Sequence, residues 1–588
     1  MRLEPRKAWF LAFTAVFAVL AGFVFWGTWS LAACPVMPDA RMTFPAQGYV
    51  GDVLRAWVGN GKFVPWDVTA FIGSPYLWQE LQYALAAYFA ALGLAYYLRG
   101  RGLSRLSSYG AGLLLGFCGY WLTLFSAGHA GWFRWMIFGV FAFGLADRAV
   151  RKNKLKNWVL LGACVAWASF YQPDLWLLFT VFTAVYFIWC CIRERKFPCW
   201  KGVAFAAAAF AVIGAPSFVG AYGDKAGRDR QIEASKGTAL TGGVKDDDRE
   251  ARWIFVTNWS LPPVETLEFF IPRLNGDTSC QSVLGLGRSQ GTGVRPYTGA
   301  LGRPINAKSG NYRQHSLYVG WVTCLLAVAG ICFGFRRAEV VFFVCAAAVF
   351  WLLSTGRYCE PVYRLVFMLP VGDSIRAPVK WHHLTELCLC ALAGFGIEGL
   401  GARLTAFGRM SPRTVGAVMC AVVLFGACDL ARVDRLYCAA IDLSIVQANN
   451  PAADEIVKRG GGKVADLMEG GNGLVAWSFS TRRIKMTPDL GDNDIRFIWA
   501  GGEQLRNKSL AAWMKARNAR PVGTYVVTQK GIRVSNGNTA NAVLLEIPGA
   551  PALPPKAPDA PPVTFVTWLG ALSLLGTICA SAYGVMKS

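Results

Sequence analysis

Residues 8–32 read AWFLAFTAVFAVLAGFVFWGTWSLA, a run of 25 residues without a charged side chain. About 20 apolar residues are enough for a helix to cross the hydrocarbon core of a bilayer. Arg2, Arg6 and Lys7 precede the run, and Leu31-Ala-Ala-Cys34 at its end resembles a lipoprotein cleavage site. Because the run is long for the apolar core of a signal peptide, we expect it to stay attached as a transmembrane helix.

Similar apolar runs recur along the whole chain. The sequence has 588 residues, of which 54% are hydrophobic, and its mean hydropathy is +0.35. This composition is typical of membrane proteins, and we predict an α-helical polytopic protein with about twelve transmembrane helices. The predicted helices lie near 8–32, 80–98, 107–126, 132–148, 157–172, 174–192, 202–222, 315–335, 338–355, 383–402, 414–430 and 563–585.

Much of the formal charge of +23 comes from lysines and arginines in alternate short loops. Because such loops of membrane proteins face the cytoplasm, we predict that both termini and these loops are cytoplasmic. Since topology explains this charge, we predict no nucleic-acid partner. The cations of these loops are Arg2, Arg6, Lys7, Arg99, Arg101, Arg105, Arg148, Arg151, Lys152, Lys154, Lys156, Arg193, Arg195, Lys196, Lys201, Arg336, Arg337, Arg403, Arg409, Arg413 and Lys587.

This topology divides the chain into three parts. Residues 1–430 form the predicted transmembrane domain, with outer loops at 33–79 and 223–314. Residues 431–562 alternate helical patterns with short strand-like runs, which predicts a small extracytoplasmic α/β domain. Residues 563–588 form a C-terminal transmembrane helix. The predicted elements of the α/β domain are helices at 452–459 and 510–516 and strands at 525–528 and 543–547.

The first outer loop combines aspartates and tryptophans with several glycines. Within it, Val50-Gly-Asp-Val-Leu-Arg-Ala-Trp57 can begin a short helix that turns Asp52 toward a cavity. A carboxylate within hydrogen-bond reach of a substrate hydroxyl can act as its general base. Asp67 and Trp66 are further candidates. An interfacial tryptophan often serves only as a membrane anchor, and a loop aspartate can simply be solvated.

Further candidates lie at the predicted outer mouths of helices. His129 and Asp174 each occupy a short turn, where a structural role competes with a supporting role in a site. Arg376 and Lys380 precede the helix near 383–402. Their cationic groups could hold a lipid-linked phosphate, or they could only extend to the membrane interface.

The loop at 223–314 contains two predicted helices. Trp253, Val256 and Trp259 have helical spacing, which predicts a helix lying on the outer membrane surface. A second helix can begin at the Pro-Pro pair that follows. It would carry Glu265 toward the same cavity and place the pair Phe269-Phe270 on the lipid side.

We predict that the protein needs no metal and no cofactor. Asp246-Asp-Asp248 could attract a hard cation and Asp492-Asn-Asp494 has an Asp-x-Asp form, but solvated acids and a turn explain them as well. The sequence has no Gly-x-x-x-x-Gly-Lys-Ser/Thr motif, which disfavours a nucleotide-driven pump. It also has no zinc-type spacing of cysteines and histidines.

Short motifs follow one another in a particular order through the outer segments. They are Gly51-Asp52, Gly61-x-x-x-Pro65-Trp66-Asp67, Gly73-x-Pro75, Ser126-Ala-Gly-His129, Tyr171-Gln-Pro-Asp174, Leu261-Pro-Pro-Val-Glu265, Tyr318-Val-Gly320, Ile375-Arg-Ala-Pro378 and Gly523-Thr-Tyr525. In this order they resemble the YfhO-type family of bacterial membrane proteins, over most of the chain.

The resemblance implies a GT-C-like bundle, the multi-helix fold of glycosyltransferases, in a bacterial cytoplasmic (inner) membrane. Such an enzyme moves a sugar from a polyprenyl-phosphate-linked donor to a cell-envelope glycan or glycolipid acceptor on the outer face. The family's acidic loop residue corresponds to Asp52, although Asp67 stands where the family commonly has Asn. Arg376 and Lys380 become candidates for binding the donor phosphate. The supporting or substrate-binding candidates are Asp67, Trp66, His129, Gln172, Asp174 and Glu265.

Two other classes of function stay open at this point. A lipid or solute transporter would also have about twelve helices, but the sequence has neither a convincing internal repeat nor a clustered set of midplane charges. A catalytically inert scaffold for envelope assembly would keep the helices and the outer domain while its loop carboxylates tolerated substitution.

Overall fold

The computed structural model describes the chain in segments. They comprise residues 4–26, 33–35, 75–124, 130–170, 172–236, 244, 247–276, 297–300, 316–369, 372–408, 410–438, 440–442, 450–467, 484, 486–487, 495–501, 508–528, 531–535, 542–550, 571–577 and 579. This part of the chain is mostly helical and contains a small mixed β-sheet. It has the character of a polytopic helical protein.

Helices occupy nearly all of the predicted apolar segments. Among the described residues, the predicted helices from 8–32 to 414–430 are confirmed as helical, apart from their ends and from a break at 117–118. The last one, near 563–585, is described only at 571–577 and 579, and residues 571–577 are helical. In chain order the helices are α1 (Pro5–Val24), α2 (Pro75–Gly100), α3 (Arg105–Gly116), α4 (Gly119–Thr123), α5 (Ala130–Lys152), α6 (Leu155–Ala168), α7 (Pro173–Glu194), α8 (Trp200–Ser235), α9 (Asp248–Thr257), α10 (Trp321–Gly334), α11 (Ala338–Ser354), α12 (Glu360–Met368), α13 (His382–Ala406) and α14 (Pro412–Asp434).

The helices differ in whether they could cross a bilayer. In the described part of the chain, six helical segments are long and apolar enough, and the bent pair Ala338–Ser354 with Gly356–Met368 could supply a seventh. α6 and α10 are apolar but have 14 residues each. That length is about 21 Å at a rise of 1.5 Å per residue, short of a hydrocarbon core of about 30 Å. The predicted helix at 107–126 is divided into α3 and α4.

The basic loops meet at one end of the helix bundle. Lys196 Nζ donates to the Arg151 carbonyl at 3.1 Å, and the Ser104 amide donates to Glu398 of α13 at 2.8 Å. We call the end formed by residues 99–105, 151–156, 193–201, 334–338, 403–408 and 410–413 the basic end. The opposite end, formed by residues 117–124, 169–170, 172–174, 257–276, 316–320, 354–369 and 372–382, is called the loop end.

A buried ion network holds the basic end together. Arg101 is almost fully buried and pairs with Asp147 of α5, Glu194 of α7 and Glu339 of α11. Asp147 also pairs with Arg151 at 2.8 Å. Removing one partner of such a network would leave another charge buried and uncompensated. Arg101, predicted only as a loop cation, is therefore a packing residue that joins three helices.

Two glycines let the backbones of α10 and α13 approach each other closely. A Cβ atom on Gly396 would overlap the carbonyl oxygen of Leu326, and one on Gly330 would overlap the carbonyl oxygen of Leu392. Small residues permit this kind of close helix packing in membranes. The contact therefore depends on the absence of a side chain on both helices.

Replacing Gly396 with alanine should destabilise the bundle because a backbone oxygen cannot move aside as a flexible side chain can. We expect a loss of at least about 1–3 kcal/mol, typical of an overfilled core. Gly401→Ala on the same helix is the matched control, since the nearest heavy atom to its Cβ would be Met419 Cγ at 4.0 Å. Thermal unfolding of the two purified variants compares them, and equal melting temperatures would contradict the predicted close contact.

The segment after α8 contains the two predicted helices, and part of the apolar face of the first is buried in the protein. α9 is helical as predicted, but Trp253 is buried in the protein, with its ring 5.3 Å from that of Phe367. A 3₁₀ helix follows at Pro263–Phe269, confirming a helical turn after the Pro-Pro pair. Within the predicted lipid-facing pair, Phe270 is exposed but Phe269 is buried. The prediction was wrong for Phe269 because its ring packs on His382, with ring centroids 4.4 Å apart.

The strands form a small mixed sheet and a short ribbon. The ribbon pairs β1 (Ala33–Pro35) with β2 (Ala440–Asp442) in antiparallel register. The other strands are β3 (Lys463–Asp466), β4 (Met486–Thr487), β5 (Ile495–Gly501), β6 (Arg520–Thr528), β7 (Gly531–Val534) and β8 (Ala542–Glu546). They make a six-stranded sheet in the order β4-β3-β5-β8-β6-β7, which is parallel across β4-β3-β5 and antiparallel elsewhere.

Each face of the sheet is covered by a helix. Ile456 of α15 (Pro451–Lys458) packs with Phe497 and Trp499, whereas Trp513 of α16 (Lys508–Ala516) packs with Ile498 on the other face. Alternate residues of a strand point to opposite faces, so both faces of β5 are apolar. The predicted strands and helices of residues 431–562 are confirmed where the structure describes them.

Candidate functional site

A buried ion pair lies at the loop end of the bundle. Asp174 occupies the first turn of α7, and Lys380 lies in the 3₁₀ helix Pro378–Trp381 that leads into α13. The Nζ of Lys380 pairs with Oδ2 of Asp174, and both side chains are less than one-tenth exposed. Two residues that were predicted separately, in different roles, thus form one contact.

A second set of polar side chains begins at His382, two residues after Lys380. The Nε2 of His382 lies 3.3 Å from Oε1 of Glu386, and the Tyr120 amide donates to the same oxygen at 3.2 Å. The ring of Tyr120 also packs on His383, with centroids 4.3 Å apart. His382, His383 and Glu386 are all buried. α4 and α13 thereby meet at a set of ionisable side chains inside the bundle.

Asp434 extends this group from the end of α14. It is buried and lies close enough to Glu386 for the two carboxyl groups to interact electrostatically. Among the described residues, neither oxygen of Asp434 has a hydrogen-bond partner, and Oε2 of Glu386 has none. Leaving a buried polar group unpaired costs free energy. Ionisable groups held this way inside a membrane bundle are functional candidates. We call His382, His383, Glu386 and Asp434 the acid–histidine cluster.

Glu265 is buried in the 3₁₀ helix Pro263–Phe269, in agreement with its predicted place on a short helix. Its Oε2 accepts a hydrogen bond from the Tyr297 hydroxyl at 2.6 Å, and its Oε1 accepts one from the Ala300 amide at 2.7 Å. These bonds tie residues 297–300 to the loop end. Because Glu265 is bonded within the protein, its observed contacts indicate a positioning role.

Arg376 lies between α9 and α13 and stacks on aromatic rings. Its guanidinium carbon is 4.3 Å from the ring centroid of Phe255 and 4.9 Å from that of Trp259. The backbone beside it is fixed to α9, since the Ala377 amide donates to the Val256 carbonyl at 3.0 Å. Cation–π contacts of this kind hold a charged side chain in place without neutralising it.

An open cleft lies beside this segment. It has a volume of about 520 Å³ and is lined by Asp248, Arg249, Arg252, Asp373 and residues 367–369. Arg252 pairs with Asp229 at 2.9 Å and with Asp373 at 3.3 Å, and Arg249 is exposed. The cleft thus has two arginines and two aspartates next to apolar side chains that remain exposed, including Met368 at 61% and Leu369 at 60%.

Among the remaining predicted site residues, the structure describes Gln172 alone. Gln172 is half-buried and directly precedes α7, where its side chain makes no capping hydrogen bond. Four others lie outside the described residues, namely Asp52, Trp66, Asp67 and His129. The structure therefore brings Asp174 together with Lys380 and leaves the first outer loop as a prediction.

The acidic run at 246–248 has a structural explanation at two of its positions. Asp247 caps α9 by accepting hydrogen bonds from the amides of Arg249 and Glu250. Asp248 pairs with Lys236. Within the described ranges, no group of three or more His, Cys, Asp or Glu side chains could hold a metal ion. Asp492 and Asp494 lie outside those ranges.

The acid–histidine cluster was not predicted from the sequence. Part of its signal was present, because His382 and Glu386 are four residues apart and fall on one face of a helix. Asp434 had a weaker signal, as one of two acids, with Asp429, near the end of an apolar helix. What brings it to Glu386 is the packing of α14 beside α13.

Comparison with known proteins adds no assignment. Neither a search against protein-family models nor a search of curated proteins found a match to this chain.

Proposed function

We propose that this protein is a membrane glycosyltransferase that moves a sugar from a polyprenyl-phosphate-linked donor to a cell-envelope acceptor. The observation that carries the proposal is the cleft beside α9. A lipid-linked phosphate needs a cation for its headgroup and an apolar surface for its chain. Arg249 offers the first, and the exposed side chains of Met368 and Leu369 offer the second.

The segment between the cleft and α13 supports the same proposal. Arg376 and Lys380 are the candidates for the donor phosphate, and both are held in fixed positions by the contacts described above. Lys380 already pairs with Asp174, so a phosphate would compete with that carboxylate. The guanidinium of Arg376 carries several N–H groups in a planar fork whose geometry matches a phosphate.

The proposed reaction is a displacement at the anomeric carbon of the donor sugar. The acceptor hydroxyl loses its proton to a carboxylate as its oxygen forms the new bond to that carbon. The bond from the carbon to the phosphate oxygen breaks, and the lipid phosphate leaves with the electron pair. Asp52 is the proposed base, on the strength of the family resemblance. Nearby cations stabilise the departing phosphate.

The proposed orientation puts the loop end outside and the basic end in the cytoplasm. In this proposed orientation all twelve predicted helices lie within the membrane. The shorter helices would contact other helices as much as lipid. Both termini are then cytoplasmic, and the six-stranded sheet, whose strands lie between Lys463 and Glu546, is extracytoplasmic. Contacts such as Lys196 with Arg151 support this orientation because they gather the positive loops at one end.

The direct test is sugar transfer by the purified full-length protein in proteoliposomes. We expect transfer from a polyprenyl-phosphate sugar to a lipid or glycan acceptor, with the Arg249→Gln variant showing a raised KM for the donor. Arg413→Gln, an exposed arginine at the basic end, is the matched control. No transfer by wild type with a panel of polyprenyl-phosphate sugars would contradict the proposal.

A transporter is the second candidate, and one observation favours it. Glu386 and Asp434 carry carboxyl oxygens without a hydrogen-bond partner among the described residues, inside an apolar bundle. Buried ionisable groups of this kind also occur in ion and proton pathways. Uptake or lipid flipping in liposomes by a wild-type protein that shows no transfer would favour this candidate.

A further inference from the structure

A groove opens at the basic end, on the opposite side of the molecule from the acid–histidine cluster. It has a volume of about 860 Å³ and lies between α1, α3, α13 and α14. Trp9 of α1 stands at its edge, 36% exposed, and Arg99 and Arg105 line its polar side. No step of the proposed sugar transfer uses it.

The polar side of the groove favours an anion. Arg105 occupies the first turn of α3, and Pro412 at the start of α14 also lines the groove. The N-terminal end of a helix carries partial positive charge, which adds to that of the two arginines. Glu398, the one carboxylate among the described residues that line the groove, accepts hydrogen bonds from the Ser104 amide at 2.8 Å and the Ser107 hydroxyl at 2.7 Å. These two donors partly offset its negative charge.

The apolar side of the groove has room for a hydrocarbon chain. A Cβ atom placed on Gly416 would meet no heavy atom within 4 Å, and one on Gly401 would meet only Met419 Cγ at 4.0 Å. Ile397 and Val415 continue this surface. A cationic rim thus leads directly into an unfilled apolar channel.

We propose that this groove binds an anionic phospholipid, with the headgroup phosphate at Arg99 and Arg105 and an acyl chain along Gly401 and Gly416. An anionic lipid would contact both sides of the groove. A free anion would contact only the cationic rim, and an uncharged lipid would contact only the apolar channel. Basic pockets between helices bind anionic lipid headgroups in this way. The site is independent of the proposed sugar transfer, so either can fail alone.

Native mass spectrometry of the detergent-purified full-length protein tests the site. Phosphatidylglycerol should remain bound, and phosphatidylcholine of the same chain length should bind more weakly. The Arg99→Gln/Arg105→Gln variant should lose about thirtyfold in affinity for phosphatidylglycerol, as two lost phosphate contacts imply. Arg193→Gln/Arg336→Gln is the matched control, since it removes two exposed arginines from the same end outside the groove.

Two further measurements separate the possible outcomes. Gly416→Phe keeps both arginines and fills the channel, so it should also weaken phosphatidylglycerol binding, and its position leaves space for the ring to be accommodated without unfolding. Inorganic phosphate at the same concentration should not displace the lipid. Equal lipid retention by wild type and both variants, or displacement by inorganic phosphate, would overturn the proposal.

Discussion

Lys380→Met should be strongly destabilising, with a loss of about 3–5 kcal/mol in the free energy of unfolding. The reason is that its partner, Asp174, would remain buried without its cation. Asp174 is fixed at the start of α7, where its Oδ1 accepts a hydrogen bond from the Leu175 amide, so it cannot easily turn toward solvent. Unfolding of the purified protein by a denaturing detergent measures this change.

A double-mutant cycle isolates the contribution of the ion pair. In the Asp174→Asn/Lys380→Met variant neither charge remains, so the loss should be clearly smaller than for Lys380→Met alone. Lys236→Met is the surface control, because Lys236 pairs with Glu233 and Asp248, whose side chains are mostly exposed. We expect little change from it.

The same variants separate a structural role of Lys380 from a role in binding the donor phosphate. If Lys380 only neutralises Asp174, the double variant should recover transfer together with stability. If Lys380 also contacts the phosphate, the double variant should regain stability but keep a raised KM for the donor. If the stability losses of the two single variants simply added up in the double variant, Asp174 and Lys380 would have no interaction energy. That result would contradict the buried ion pair.

The sequence was a good guide to the helices because apolar length is a local property. It was a poorer guide to their role as spans. α6 and α10 have only 14 residues each, and in α6 the side chains of Trp158 and Trp167 are buried within the protein. Hydropathy cannot separate burial in protein from burial in lipid, so the count of twelve goes beyond the six or seven that length and composition support in the described residues.

The break between α3 and α4 illustrates a second limit. Residues 107–126 are apolar and predicted one helix, but the chain turns at 117–118. There the Gly119 amide donates to the Tyr318 carbonyl at 2.9 Å, and a Cβ on Gly119 would lie 2.9 Å from Ser316 Oγ. The break thus depends on a partner nearly 200 residues away in the chain, which no local pattern reveals.

The candidate site shows the same division between local and distant information. Asp174 and Lys380 could be selected singly, because each stands at the end of an apolar helix. Their contact across 206 residues could not be predicted, and neither could the electrostatic interaction of Asp434 with Glu386. Single residues at helix mouths are visible in a sequence, whereas the pairs they form depend on how the helices pack.

Asp52→Asn should reduce sugar transfer at least about a hundredfold while leaving the fold intact. An amide has nearly the shape of a carboxylate but cannot take the proton of the acceptor hydroxyl, and general base catalysis contributes about 10²–10⁴ to a rate. The donor should still bind, so kcat should fall much more than the affinity for the lipid-linked sugar changes. Initial rates in proteoliposomes, with the melting temperature as a folding check, measure both.

Two neighbouring aspartates make this test specific. Asp39→Asn, in the same predicted loop but outside its motifs, should transfer sugar at the wild-type rate. Asp67→Asn places at this position the residue that the resembling family commonly has there. If Asp67 only supports Asp52, this variant should therefore lose less sugar transfer than Asp52→Asn. Undiminished transfer by Asp52→Asn would remove Asp52 from the mechanism. If transfer were lost in Asp67→Asn instead, Asp67 would be the general base.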